Sequence, residues 1–348
     1  PQGAVEAWQG SVHELPRRFG AHKWRSQVSE TSPAESRHFR LVPLAEGVFA
    51  ALATDGGAAI CNSGIIDLGG RTVVFDTFLT PQAAADLRYA IKDMIGPTSC
   101  IVVNSHYHND HIWGNQAFAP DALILASRRT RTLITTAGAD EFAWYSSNSA
   151  QRLEALRAQY GTSSEEQQAQ LRMWIGYYEG LVEALPHLAV CMPDITYEDH
   201  LEIHGTRHTA ELIAFDGAHT EHDTVLHLPA SGIVFAGDLL FVGCHPYLGD
   251  GDPQQLLKAL RSLQQLHATS YVPGHGPVGT ADDLSLLIDY VEHCAETAHA
   301  LVDSGNVSED GFAQLKIAQR FAHWQMPQFY EANIRSLCKH SGPDTGAG

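Results

Sequence analysis

Short apolar runs separated by Gly and Pro turns recur through the first part of the chain and predict strands. Such runs occupy residues 47–52, 58–61, 72–76, 100–103 and 122–126. Gly56-Gly57 and Gly69-Gly70 mark turns between the first three runs. Thr80 followed by Pro81 is typical of a helix start, and apolar residues at helical spacing continue this helix over residues 82–95.

The pattern changes between residues 127 and 190, where Glu, Gln, Ala and Leu are frequent. Residues 151–159 and 163–185 are predicted to be helical, which makes this stretch a helical insertion or subdomain. Its aromatic residues allow two interpretations. Either they pack the helices against the sheet, which we prefer, or Phe142, Trp144 and Tyr145 line the mouth of an active site.

Strands and helices alternate again in the second half of the chain. Strands are predicted at residues 201–203, 210–215, 224–228, 233–236 and 270–272. A helix opens at Asp252-Pro253 and runs to about residue 266, a longer one covers residues 281–303, and two more finish the chain. Strands followed by a helix and a further strand, in two halves, indicate an α/β or α+β fold.

The composition indicates which classes of binding partner are expected. The chain is 44% hydrophobic, which supports a substantial core, and its formal net charge is −18 with a pI near 5.4. Because such an acidic surface repels phosphate backbones, nucleic acid is not an expected partner. Because no apolar run has transmembrane length, no membrane partner is expected either.

The cysteines bear on the compartment. Six are scattered along the chain without C-x-x-C spacing, at Cys61, Cys100, Cys191, Cys244, Cys294 and Cys338. This distribution is typical of free thiols in a reducing compartment, so a cytoplasmic location is expected. The first residue is Pro1 rather than Met, so a trimmed start with a removed signal peptide is the alternative.

The densest group of metal-binding side chains lies in residues 104–111. Three imidazoles and one carboxylate follow the pattern H-x-H-x-D-H, at His106, His108, Asp110 and His111. An apolar run precedes them and a predicted helix follows, so the side chains sit on a strand-to-helix turn where they can converge. Imidazoles with one carboxylate suit zinc and neighbouring transition metals.

This pattern resembles the signature of the metallo-β-lactamase superfamily. Three later segments resemble the remaining ligand boxes of the family, around His219 (217–220), Asp238 (236–240) and His275 (272–276). The resemblance covers roughly residues 45–295. It implies a four-layer αβ/βα sandwich over residues 41–305 with the insertion at about 127–190. Residues 1–40 would be an N-terminal extension and residues 306–348 a C-terminal helical extension.

The resemblance also implies two zinc ions per chain. The first would be held by His106, His108 and His219, the second by Asp110, His111 and His275, and Asp238 would bridge both. Water bound to such a centre ionises near neutral pH, so a metal-bound hydroxide would be the nucleophile. Asp110 is also a candidate catalytic residue, because it can orient the nucleophile or pass a proton to the leaving group.

Two positions indicate which metal is expected and which group of relatives the chain resembles more. His108 stands where the di-iron relatives have Glu, so zinc is expected over iron. Asp238 stands at the bridging position rather than Cys, which resembles lactonases, thioesterases and phosphodiesterases more than the most familiar β-lactamases.

Further side chains are candidates on weaker grounds. His245 and Tyr247 follow the bridging box and are expected either to donate a hydrogen bond to a developing oxyanion or only to pack their loop. The resemblance implies that Asp76, at the end of a predicted strand, contacts a ligand histidine. His222 competes with His219 as a ligand, and the Gly-Ala-His-Thr context favours His219.

The leading hypothesis is a dinuclear zinc hydrolase that opens a small carbonyl substrate: a lactone or ester first, then a β-lactam, then a thioester. The alternatives are a phosphodiesterase or nuclease of the same fold, which the acidic charge disfavours, and a non-catalytic metal-binding protein. A small-molecule substrate is therefore the expected partner. The N-terminal arm and the C-terminal helices are candidate contacts for a homodimer.

Overall fold

The computed structural model describes residues 36–119 and 121–340. The N-terminal extension predicted over residues 1–40 therefore lies, up to residue 35, outside the described residues. Two sheets and the helices that cover them make up the described part. The limits predicted for the extensions and the insertion remain predictions.

The first sheet contains seven strands in sequential order. They are β1 (Phe39–Ala45), β2 (Val48–Ala53), β3 (Ser63–Asp67), β4 (Arg71–Phe75), β5 (Ser99–Val103), β6 (Leu123–Ser127) and β7 (Ile195–Tyr197). The pairs from β1 to β4 are antiparallel, whereas β4 to β7 are parallel. The parallel strands therefore end at the same edge of the sheet.

The second sheet contains five strands in the order β12-β11-β10-β9-β8. They are β8 (His200–His204), β9 (Thr209–Asp216), β10 (His222–Leu228), β11 (Ile233–Phe241) and β12 (Ser270–His275). Strands β8 to β11 pair antiparallel, and β12 runs parallel to β11.

Ten α-helices lie in the described residues. They are α1 (Pro81–Met94), α2 (Asn109–Ile112), α3 (Asn115–Phe118), α4 (Arg128–Thr135), α5 (Ala137–Tyr160), α6 (Glu165–Ala184), α7 (Pro253–Gln265), α8 (Ala281–Asp303), α9 (Glu309–Ala313) and α10 (Gln328–His340). Several begin at side-chain caps that satisfy free backbone N–H groups. Thr80 caps α1, Asp252 caps α7, and Thr280 with Asp283 forms a capping box on α8.

The apolar residues form layers. Leu87 and Ile91 of α1 pack on the outer face of the first sheet. The core between the two sheets includes Phe75 from the first and Phe235 from the second. Helices α7, α8 and α10 cover the outer face of the second sheet, and their apolar residues form a further core with it. The result is the expected four-layer αβ/βα sandwich, with a helical C-terminal region in the last layer.

Three sequence-based expectations for elements were wrong. Residues 58–61 do not form a strand, because Ile60 has a φ of 71° and the backbone turns there, so the pairing strand is β3. The patterns missed β1 and the three-residue β7. Helix α5 begins at Ala137 rather than at Gln151.

Candidate metal centre

The carboxyl ends of the parallel strands β4 and β5 carry the first part of the site. Asp76 follows β4, and residues 104–111 follow β5. Asp76 accepts hydrogen bonds from the Ser105 backbone N–H (2.8 Å) and the Ser105 hydroxyl (2.7 Å), and its Oδ2 lies 2.7 Å from His111 Nδ1. This fixes the ring orientation of His111, so that Nε2 points away from Asp76 into the site. The contact expected between Asp76 and a ligand histidine is therefore present.

A first group of donor atoms converges at the start of α2. His108 Nδ1 lies 3.0 Å from His106 Nε2 and 3.1 Å from His219 Nε2. Asp238 Oδ2 lies 3.4 Å from His219 Nε2 and 3.9 Å from His106 Nε2. These four side chains each offer one atom within 4.8 Å of the others, which is close enough to share an ion.

A second group shares Asp238 with the first. Asp238 Oδ1 lies 3.0 Å from His111 Nε2, and Oδ2 lies 3.4 Å from His275 Nε2. Asp110 Oδ2 lies 3.4 Å from His275 Nε2 and 3.8 Å from His111 Nε2. The structure thus brings all seven ligand candidates of the sequence together, with Asp238 between the two groups.

The second sheet positions Asp238 and His219. The register of β11 against β12 shifts on both sides of Gly237, whose φ is 52°, and this irregularity turns Asp238 into the site. His219 lies in the turn between β9 and β10. The Asp223 carboxylate holds that turn by accepting the backbone N–H groups of His219 (2.9 Å) and Thr220 (3.0 Å).

The residues present fit a metal centre. His111 Nε2 and Asp238 Oδ1 are buried and lie 3.0 Å apart, but neither makes a hydrogen bond of acceptable geometry, and each is a strong metal donor. Burial lowers the pKa of His106, and burial lowers the pKa of His219 to about 3, so both rings are neutral at pH 7. Burial acts on the other three imidazoles as well, but nearby acidic groups outweigh it and raise the pKa of His108, His111 and His275. Neutral imidazole is the form that binds metal, and a cluster of imidazoles and carboxylates suits zinc-like ions.

Cys61 also lies beside the second group, which the sequence patterns missed. Its thiol donates to the Asp110 carbonyl oxygen at 2.8 Å, and its sulfur lies within 4.8 Å of donor atoms of Asp110 and His111. Burial raises the pKa of Cys61 to about 12, so the group is a thiol at neutral pH. All six cysteines are free. No local motif marks Cys61, because a loop far upstream of residues 104–111 carries it.

Asp250 is a second residue that the sequence patterns missed, and it contacts the ligand candidate His108. Its Oδ2 lies 2.9 Å from His108 Nε2 and accepts the Tyr107 hydroxyl at 3.0 Å. Burial opposes ionisation, but the hydrogen bonds from His108 and Tyr107 lower the pKa of Asp250 to about 2. Asp250 is therefore a carboxylate that orients the His108 ring. Tyr247 lies at the rim, where its hydroxyl donates to Asp250 Oδ1 at 3.3 Å.

The structure does not bring His245 to the site. Its side chain is fully buried, with Nδ1 2.9 Å from the Tyr290 hydroxyl and its ring packed against Trp324 and Tyr330. The chain places His245 in the core under the C-terminal helices, where it packs rather than faces a substrate. Tyr247, two residues later, lines the cavity instead.

His222 does not join the ligand groups. Its Nε2 lies 3.5 Å from Asp216 Oδ1 at the far side of the β9–β10 turn. The structure therefore agrees with the preference for His219.

A cavity of about 490 Å³ opens over the two donor groups. Residues 107–110, the insertion helices α5 and α6, and the segment around Met326 and Phe329 form its walls. Eight aromatic residues line it: Tyr107, Tyr145, Trp174, Tyr177, Tyr178, Phe241, Tyr247 and Phe329. Among the described residues that line this cavity, none is Lys or Arg.

Of the aromatic residues in the insertion, some pack in the core and others line the cavity, as the two interpretations of the sequence had allowed. Phe142 packs with its ring centroid 5.6 Å from that of Trp113, and Trp144 is 43% exposed at the surface. Tyr145 lines the cavity. Phe142 therefore packs against the core, whereas Tyr145 lies on the cavity wall.

Glu141 is a third missed residue. It lies on α5, lines the cavity, and its Oε2 is buried without a hydrogen-bond partner. Burial raises the pKa of Glu141 to about 7. The sequence offered no signal for it, because one Glu in a helix rich in polar residues is ordinarily exposed.

Across residues 36–119 and 121–340, no helix is both long and apolar enough to cross a membrane. No curated protein sequence is significantly similar to this chain.

Solved structures share the fold. A metallo-beta-lactamase from Pontibacter korlensis is 19% identical, with a TM-score of 0.53 over 73% of this chain and 99% of that chain. A structure of TMB-1 is 16% identical, with a TM-score of 0.53 over 74% of this chain and 98% of that one. The stereoselective inverting sec-alkylsulfatase Pisa1 from Pseudomonas sp. is 16% identical, with a TM-score of 0.62 over 87% of this chain. The match spans 50% of the length of Pisa1.

The sequence model of the metallo-beta-lactamase superfamily matches residues 56–275, which is more than half of the chain. This range contains all seven donor side chains that the structure brings together. The chain therefore belongs to the metallo-beta-lactamase superfamily.

Proposed function

We propose that this protein is a dinuclear zinc hydrolase that opens a small lactone or ester without an anionic group. The observation that carries the proposal is the sharing of Asp238 between two donor groups at the floor of an aromatic cavity. The metallo-beta-lactamase superfamily is mostly hydrolytic, which agrees with this reaction class.

The donor groups define where the metals would be held. His106, His108 and His219 would hold one ion, and Asp110, His111 and His275 the other, with Asp238 between them. Such a pair supplies a water-derived nucleophile at neutral pH and polarises the carbonyl oxygen of the substrate. The mixture of five imidazoles and two carboxylates favours zinc over harder cations, which prefer oxygen ligands alone.

The side chains around the donor groups have separate tasks. Asp110 lies at the cavity floor, where its carboxylate can hold a proton on its way to the leaving oxygen. Asp76 and Asp250 keep the His111 and His108 rings in their binding orientations. The Tyr247 hydroxyl at the rim would donate to an oxygen atom of a bound substrate in exchange for its 3.3 Å hydrogen bond to Asp250 Oδ1.

The charge of the cavity supports the choice of substrate. Enzymes that bind carboxylate, phosphate or sulfate groups commonly use Arg or Lys for them. None lines the cavity among the described residues, whereas Glu141 and Asp250 do. β-Lactams, which carry a carboxylate, and alkyl sulfates, the substrate class in the name of Pisa1, therefore rank below lactones and esters. The same reasoning ranks phosphodiesters low.

The test combines metal content with a substrate panel of lactones, aryl esters, β-lactams, thioesters and phosphodiesters. We expect about two zinc ions per wild-type chain and chelator-sensitive hydrolysis of lactones or esters. His106→Ala with His108→Ala should lose the hydrolysis and at least one of the two zinc ions, because one donor group is removed. The matched control, His204→Ala with His299→Ala, removes two exposed histidines and should retain both. Equal turnover in wild type and in the His106/His108 variant would overturn the proposal.

A further inference from the structure

Glu141 is a carboxyl group in the cavity wall that the proposed hydrolysis does not use. It lies in the first third of α5, where it faces the cavity over the donor groups. Its Oε2 is a buried acceptor without a hydrogen-bond partner. An unpartnered buried carboxylate oxygen is costly unless a bound group satisfies it. The position therefore points to a ligand that brings a hydrogen-bond donor.

Aromatic rings surround this part of the cavity. Tyr145 lies one helical turn after Glu141, on the same face of α5. Its ring centroid is 5.7 Å from that of Tyr177, which is in turn 5.7 Å from the ring of Trp174. Aromatic faces attract cations through the ring quadrupole, most strongly where water is excluded. The wall next to Glu141 therefore suits a positively charged group with an apolar stem.

The other cavity carboxylate outside the donor groups is already engaged. Asp250 contacts His108, Tyr107 and Tyr247. No Lys or Arg among the described cavity residues neutralises Glu141. Outside the donor groups, Glu141 Oε2 is thus the acidic atom of the described cavity wall that still lacks a hydrogen-bond partner.

We propose that the cavity takes a carbonyl substrate carrying an ammonium group, and that the Glu141 carboxylate binds this group beside Tyr145 and Trp174. The identity of the reaction rests on the proposed hydrolase function, whereas the binding of the ammonium group does not. In this arrangement the ammonium end of the substrate lies against α5 and α6, and the carbonyl end lies over the donor groups.

Binding is tested first, on the metal-loaded protein, with hexylammonium chloride and 1-hexanol as matched probes in isothermal titration calorimetry. Wild type should bind the ammonium at least about tenfold more tightly than the alcohol, the size expected of a charge-assisted hydrogen bond. Glu141→Gln, which keeps the shape and an amide oxygen, should lose this preference. Glu154→Gln on the exposed face of the same helix is the control and should keep it.

Turnover is tested next with 6-aminohexyl acetate and heptyl acetate, which differ in a terminal ammonium against a methyl group. The ratio of their kcat/KM values should be about ten in wild type and about one in Glu141→Gln, mainly through KM. Equal affinity of wild type for the two probes would overturn the inference, even if Glu141→Gln does not fold. A preference that persists in a folded Glu141→Gln would overturn it as well. Ammonium binding without hydrolysis of any ester would support it and contradict the proposed function.

Discussion

Gly274 lies beside the shared carboxylate, where a side chain cannot fit. A β-carbon at this position would lie 1.8 Å from Asp238 Oδ1. Any other residue must therefore displace Asp238 or the β12 backbone. Sequence inspection placed Gly274 only as a neighbour of His275, but the close approach of β11 and β12 makes it part of the metal centre.

We predict that Gly274→Ala lowers the metal content from two ions per chain to one or fewer, and that hydrolysis falls by about 100-fold. Metal analysis of the purified variant measures the first effect and initial rates the second. Gly161→Ala is the control, because a β-carbon there meets nothing closer than 3.6 Å. Two ions per chain in Gly274→Ala would contradict the position of Asp238.

The buried His38 imidazole makes the free energy of unfolding depend on pH. Its Nδ1 accepts the Ala58 backbone N–H at 3.0 Å, so the neutral form is the native one. Burial, with the Arg37 charge as the second cause, lowers the pKa of His38 to about 4. Between this value and the unfolded value near 6.5, the unfolded chain binds a proton that the folded chain does not. The stabilisation that the neutral His38 ring gives the folded state is therefore complete above about pH 6.5 and is lost as the pH falls towards 4.

We predict that the free energy of unfolding of wild type falls by about 1 kcal/mol more, between pH 7.5 and 5.5, than that of His38→Asn. Asn offers an acceptor oxygen near the place of Nδ1 and does not titrate in this range. Urea unfolding at the two pH values gives both differences. Because all other titrating groups are common to both chains, identical slopes would rule out His38 as a source of the pH dependence.

At the scale of elements, α6 approaches the backbone of residues 56–58 through two glycines spaced four apart. A β-carbon on Gly176 would lie 2.7 Å from Gly56 Cα, and one on Gly180 would lie 2.9 Å from Ala58 Cβ. The same helix carries Trp174, Tyr177 and Tyr178 on the cavity wall. This contact therefore sets how far the aromatic wall stands from the metal centre.

We predict that Gly176→Val pushes α6 outward and lowers the free energy of unfolding by roughly 1–3 kcal/mol, as overpacking does. KM for the preferred ester should rise several-fold while kcat changes less, because the wall moves and the donor groups do not. Denaturant unfolding and steady-state kinetics measure these effects, with Gly161→Ala in the same insertion as the control. Unchanged stability together with unchanged KM would show that the close contact is not formed.

At the scale of the whole molecule, the donor groups join the two sheets. His106 and His111 follow β5 of the first sheet, whereas Asp238 and His275 belong to β11 and β12 of the second. Ions bound between them would connect the two halves of the sandwich in the folded state. Such ligands stabilise the native state by mass action, by about 2.7 kcal/mol at a free concentration 100 times Kd.

We predict that zinc added to the chelated protein raises Tm by about 5 °C. Differential scanning calorimetry at fixed zinc concentrations measures the shift. The His106→Ala, His108→Ala variant should show at most half of it, because one donor group is lost. An equal shift in the two proteins would mean that zinc acts elsewhere on the chain.

The sequence by itself determined what depends on near neighbours along the chain. The H-x-H-x-D-H spacing concentrates four donor groups in one strand-to-helix turn, and local caps such as Thr80-Pro81 and Asp252-Pro253 start helices where the pattern placed them. Periodicity indicated an α/β or α+β fold, and the resemblance carried by the ligand boxes implied the sandwich and the seven donor side chains. Patterns failed at residues 58–61, where apolar composition suggested a strand but Ile60 turns the backbone.

Only the tertiary structure decided which distant side chains meet. Asp250 contacts His108 across 142 positions of sequence, and Glu141 reaches the cavity because α5 lies over α2. The same packing buries His245 under the C-terminal helices although it lies two residues from Tyr247. The physical reason is that burial and charge environment arise when the sheets and the insertion pack together. The cavity is a product of that packing, whereas the local sequence alone places the four donor side chains of the H-x-H-x-D-H turn next to one another.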